Sequence, residues 1–149
     1  MSLETTIMTD LKTAMKAKDQ VALRSVRAVK AAILNFKTSG TGEELTEDKA
    51  IKIVQKLVKS RQDSLEIFEK QDREDLAVKE REEIAVLQKY LPKQMDEGEL
   101  KTFIQGIISQ TGASSMKDMG KIMGMASKQL AGKADGKTIS SIVKELLVG

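Results

Sequence analysis

The sequence predicts an all-α protein, a four-helix N-terminal domain over residues 1–92 followed by a small three-helix C-terminal domain over 93–149. Three observations lead there. Apolar residues recur at spacings of three and four, strand-like alternation is absent, and proline occurs once in 149 residues. That proline, Pro92, also supplies the boundary, because its ring disfavours α geometry at the preceding Leu91 and so ends a helix there.

In chain order, helices are expected near 2–17, 19–37, 46–71, 73–91, 96–111, 115–131 and 136–148. Asp19, Thr46, Asp72, Asp96, Ser115 and Asp135 stand where N-caps belong, and Asp96 with Glu99 and Ser115 with Asp118 have capping-box spacing. Gly112 and Gly132 stand where C-caps belong. Thr38-Ser39-Gly40-Thr41-Gly42-Glu43 reads as the one clear loop.

Composition removes most catalytic chemistry. The chain has no Cys and no His, which excludes disulfides, thiolate nucleophiles, ordinary zinc sites and Ser-His-Asp machinery. With 3 Phe, 1 Tyr and no Trp, it also lacks the rings that stack several bases in aromatic-platform RNA binders. No apolar run approaches a membrane span, and no cationic leader followed by an apolar run opens the chain. The expectations are no catalytic site, no cofactor, no metal, no membrane partner and a cytoplasmic setting. The net charge is +3, so only its placement is informative. The expected domains carry 17 basic against 16 acidic residues and 8 against 6, respectively.

The third helix puts Ile53, Val54, Leu57, Val58, Leu65 and Phe68 on one arc, with Arg61 in its middle. A guanidinium there needs a carboxylate. The fourth helix offers Glu80 and Glu83 inside its own apolar arc of Leu76, Ile84, Leu87, Tyr90 and Leu91, with Arg73 beside them. The pair reads either as an acid/base or hard-metal site, or as an Arg–Glu network fixing the register of two packed helices. On the second helix Val21, Val26, Val29, Ile33 and Phe36 face the core. Arg24 and Arg27 point to a flank lined by small residues, either toward phosphate or into a solvated or paired surface.

The sixth helix is the most informative. Lys117, Lys121 and Lys128 fall within about 40° of one another at 100° per residue, opposite Met119, Met123, Ala126 and Leu130. Between the two faces runs a strip of small residues, Gly120, Gly124, Ser127 and Ala131. Helical glycines cost about 1 kcal/mol each relative to Ala. The strip therefore suits close approach, by a neighbouring helix or by a nucleic-acid backbone with the lysines on its phosphates. Further on, Gly132-Lys133-Ala134-Asp135-Gly136-Lys137-Thr138 is one residue short of a P-loop and follows a helix rather than a strand. It reads as a helix N-terminus where Lys133, Gly136 and Lys137 could hold one phosphate, or as a plain capped turn.

Arg24 to Ile33, Lys59 to Ser64, and Glu80-Arg81-Glu82-Glu83 running into Tyr90-Leu91-Pro92 resemble the YqeY-like proteins. Lys117 to Gly124 and Gly132 to Lys137 resemble a motif shared with the C-terminal tail of GatB, a component of aspartyl/glutamyl-tRNA amidotransferase. The resemblance covers essentially the whole chain. It implies an all-α pair of domains, and a tRNA-contacting role for the smaller one.

The leading expectation is thus a non-catalytic tRNA-binding accessory protein of aminoacyl-tRNA metabolism, with an aminoacyl-tRNA synthetase or amidotransferase as protein partner. A helical protein–protein adaptor, whose small strip and eight methionines form docking surface, is the alternative. A second alternative is the carbon–nitrogen ligase activity, with glutamine as amido donor, that family labels imply. Glutaminase chemistry needs an activated Cys or a Ser–Ser–Lys site, and Gly112 to Lys117 lacks the Gly-rich surroundings of the latter.

Overall fold

A computed structural model describes residues 2–148; Met1 and Gly149, the outermost residues of the two expected domains, lie outside the described residues. The described residues form seven α-helices and no strand: α1 (Leu3–Ala17), α2 (Gln20–Lys37), α3 (Glu47–Lys70), α4 (Glu74–Gln88), α5 (Glu97–Thr111), α6 (Met119–Gln129) and α7 (Gly136–Val148). A single 3₁₀ turn, Met116–Asp118, precedes α6. The chain divides into two compact units, Met1–Leu91 and Pro92–Gly149.

In the first unit, Leu3 and Ile7 of α1, Val26, Val29 and Ile33 of α2, Ala50, Val54 and Val58 of α3, and Ile84 and Leu87 of α4 bury one shared core. Ser25 is fully buried beside them and donates its hydroxyl to the Val21 carbonyl, so its burial strands no polar atom. Val21 and Phe36, expected inside, are only partly covered, whereas Leu23 is buried. In the second unit Leu100, Ile104 and Ile107 of α5 meet Ile122 and Ala126 of α6, Leu130 just beyond it, and Ile139, Ile142, Val143 and Leu147 of α7.

The local signals at helix ends explain most boundaries. Asp96 and Glu99 form a reciprocal capping box, and Gly112 ends α5 at φ 72°. Asp72 corrects an expectation. It lies at φ 54° just past α3 and its backbone N–H returns to the Glu69 carbonyl, so Arg73 becomes the N-cap of α4 without a side-chain bond. The Ser115–Asp118 pair does not close a box either. Asp118 accepts from the Ser114 backbone N–H, which tightens the entry into a 3₁₀ turn and delays α6 to Met119. Pro92 stands four residues beyond the observed end of α4 at Gln88.

Candidate nucleic-acid interface and internal ion network

In the first unit Arg61 and Glu83 meet as the facing arcs of α3 and α4 require. The Arg61 Nε lies 3.0 Å from Glu83 Oε2, with the two side chains 18% and 16% exposed, and an Arg61 amino group donates to the Leu57 carbonyl. Arg24 reaches the other oxygen of the same carboxylate at 3.3 Å. One carboxylate therefore joins α2, α3 and α4, and Arg24 contacts it through its Nε with the side chain 40% exposed. Arg27 is exposed and has no salt bridge among the described residues. Arg73, expected beside the two glutamates, instead grips Asp75 through two hydrogen bonds.

Glu80 is the odd member. Its Oε2 is buried without a hydrogen-bond partner. Burial pushes this carboxyl above its usual range, the neighbouring Glu83 charge pushes the same way, and Arg61 only partly opposes them. Among the described residues no group of three or more acidic side chains could hold a metal ion. The arrangement does what an ion network between helices does: it fixes their register, at the expense of one strained carboxyl.

That strain has a sign. A carboxyl whose folded pKa is raised penalises the folded chain when ionised, in full above the folded pKa, and the penalty fades as pH falls toward the ordinary value of 4.5. Glu80→Met, which keeps the side-chain length, is expected to stabilise the protein by about 1 kcal/mol at pH 7. Urea titrations at pH 7 and pH 4 check it: the gain shrinks at the lower pH, and a variant less stable at pH 7 than the parent contradicts the assignment.

In the second unit the small strip of α6 is open. Gly120, Gly124, Ser127 and Ala131 are all exposed, and a Cβ added at Gly120 or Gly124 meets nothing within 4 Å. No neighbouring helix covers these glycines. Lys117, Lys121 and Lys128 are exposed as well, although Lys117 sits on the 3₁₀ turn, where the 100° projection does not hold. On the core side Ile122, Ala126 and Leu130 are fully buried, and Met119 and Met123 are partly covered. Ile122, the most enclosed of the α6 residues with Ala126, is absent from the core face that the sequence predicts.

Charge in this unit is unevenly engaged. Glu97 and Glu145 both pair with Lys101. Asp96 and Glu99 cap α5, Asp118 holds Ser114, and Asp135 accepts from the Thr138 backbone N–H at 2.8 Å and from its hydroxyl at 3.1 Å. All six carboxylates thus have local partners. Among the described residues Lys117, Lys121, Lys128, Lys133 and Lys137 form no salt bridge. At the N-terminus of α7 the side chain of Asp135 caps the first turn through Thr138, and Lys133, Gly136 and Lys137 around it are exposed. The Lys133 carbonyl accepts from the Met95 backbone N–H at 3.0 Å, which ties the loop after α6 to the approach of α5.

The described residues are thus all-helical, with an uncovered glycine strip on α6 beside exposed lysines that form no salt bridge. The model of the YqeY-like proteins matches residues 4–147, and the chain belongs to that family. It is similar to proteins named "Altered inheritance of mitochondria protein 41, mitochondrial" from three fungi. In Pyrenophora tritici-repentis the identity is 32% over 95% of this chain and 78% of the relative. In Kluyveromyces lactis it is 33%, over 91% and 70%, and in Vanderwaltozyma polyspora 32%, over 74% and 63%. These mitochondrial names overturn the cytoplasmic expectation, which rested only on the lack of a leader-like pattern.

Proposed function

We propose that this YqeY-like protein is a non-catalytic tRNA-binding accessory protein, in which residues 93–149 form the RNA-contacting three-helix module and residues 1–92 a four-helix module held by the Arg24–Glu83–Arg61 network. One observation carries the reading: the smaller unit satisfies every carboxylate internally while the exposed lysines beside the open glycine strip of α6 form no salt bridge. Unpaired cations next to a surface without side-chain bulk suit a phosphate backbone, which needs charge and close approach rather than a pocket. The likeness of this segment to the GatB tail of aspartyl/glutamyl-tRNA amidotransferase supports the same partner. Lys133 and Lys137 add long-range attraction at the edge of the contact, and Arg27 is the remaining unpaired arginine of the two on the α2 flank.

Filter binding with total and mitochondrial tRNA tests this. With three to five phosphates neutralised, log K falls against log salt with a slope of about −2 to −4. Replacing Lys117, Lys121 and Lys128 together by Gln is expected to weaken binding about tenfold or more and to flatten the slope by about 2. Gly124→Leu weakens binding with the slope retained. A folded triple variant with unchanged affinity and slope removes this face as the RNA contact. Ammonia release from glutamine by the purified protein would instead support the amidotransferase alternative.

A further inference from the structure

The first unit carries a second exposed surface, of different chemistry. Between α1 and α2 lies a groove of about 170 Å³ walled by Ile7, Met8, Ile33 and Leu34, with Lys30, Lys37 and Glu4 along it. Ile7 and Ile33 are core residues, but Met8 is 39% and Leu34 58% exposed, so the core reaches the surface here as an uncovered apolar slot.

The charge around this slot is one-sided. Residues 3–37 hold seven basic and three acidic side chains, whereas residues 38–92 hold ten and thirteen. Each of the three acids is already engaged inside the unit: Glu4 pairs with Lys37, Asp10 accepts the Tyr90 hydroxyl, and Asp19 caps α2 at Ala22. Lys12, Arg27 and Lys30 form no salt bridge among the described residues. The slot is therefore apolar at its floor, with the Glu4–Lys37 ion pair at one edge and Lys30 as its lining cation without a salt bridge; Lys12 and Arg27 stand one helical turn from Met8 and Lys30, respectively.

We propose that the α1–α2 groove docks an acidic amphipathic helix of a protein partner, which seats an apolar side chain between Met8 and Leu34 and sets its carboxylates against Lys30 and its neighbours. Two adjacent helices present the groove that a third helix fills, with anchors at i, i+3 or i+4 and i+7. Nucleic acid matches the charge but gains nothing from Met8 and Leu34. A bilayer surface favours apolar groups that protrude, and these line a recess. The inference rests on the α1–α2 groove and not on the α6 lysines that carry the tRNA reading, so each stands without the other.

The probe is a fluorescein-labelled helical 18-residue peptide with Leu at heptad-like spacing and Glu on both flanks. Its control is an isomer of identical composition with the Leu residues scattered around the helix. Fluorescence polarisation with the full-length chain is expected to show saturable binding of the patterned peptide, at least tenfold weaker for the isomer and weaker as salt rises. Amide shifts in the ¹⁵N-labelled protein should concentrate in residues 4–8 and 30–37. Leu34→Asp and Lys30→Glu, both at exposed positions, should each weaken binding at least fivefold with melting temperature unchanged, while the triple lysine variant of α6 binds the peptide normally. Equal binding of the isomer, shifts outside α1–α2, or full affinity in a folded Leu34→Asp protein each overturns the proposal. So does absence of peptide binding, including when anionic phosphatidylserine vesicles or tRNA bind in a manner that Leu34→Asp abolishes.

Discussion

Arg61→Ala is expected to lower stability by about 3 kcal/mol, read as an earlier urea midpoint at unchanged slope. The size follows from what is left behind. Removing Arg61 takes away the 3.0 Å contact to Glu83 Oε2 and the bond to the Leu57 carbonyl. It also removes the one cation that offsets the strained Glu80 charge. Two carboxylates would then share the space with Arg24, at 3.3 Å from Glu83, as their remaining counter-charge. Arg24 is why the expected loss sits at the low end of what stranding a buried charge costs. Arg61→Lys should fall between the two, because an ammonium keeps the charge but cannot donate from a fixed fork to both partners. A loss below about 1 kcal/mol for Arg61→Ala would mean that the network contributes only as an exposed surface pair does.

Ile104→Ala should have an effect of similar size and a more visible outcome. Ile104 is fully buried in the core that α5, α6 and α7 share, and trimming Ile to Ala in such a place costs about 2–5 kcal/mol. A unit running from Pro92 to Gly149 has little more stability than that to lose. The expected result is selective: amide signals of α5 to α7 collapse toward disordered positions at 25 °C, while those of α1 to α4 stay dispersed. Simultaneous loss of both sets would show that the two units fold as one cooperative body.

Helix content and the ends built on side-chain caps are legible in the sequence, because period and cap spacing are local properties. The Asp96–Glu99 box is an example, its whole mechanism lying within four residues. Asp72 misleads for the converse reason. A residue between two helices can cap the second or close the first, and its left-handed conformation is decided by how the α3–α4 corner packs rather than by its own side chain. Arg61 announces a carboxylate partner, since an apolar arc cannot carry an unpaired guanidinium. Which glutamate answers, and that Glu80 is left without a partner, depends on helix rotation of a few tens of degrees that a helical projection does not resolve. The lysines of α6 are legible as a face; the openness of the glycine strip is not, because a Gly-x-x-x-Gly spacing looks the same against a neighbouring helix and against solvent. The exposed Met8 and Leu34 leave no sequence signal at all, since both fall beside genuine core positions.

The open strip has a consequence for motion. Gly120 and Gly124 occupy an eleven-residue helix that begins without a side-chain cap at Asp118, and neither glycine is repaid by a packing neighbour. Both therefore enlarge the set of conformations the uncoiled segment can visit and lower the free energy of opening the first turns of α6. Those turns should breathe on a faster clock than the helices around them, anchored mainly by Ile122 and Ala126. A surface that loosens and re-forms in this way can mould its backbone to a curved, irregular partner, and it surrenders part of its binding free energy as ordering entropy each time it does so.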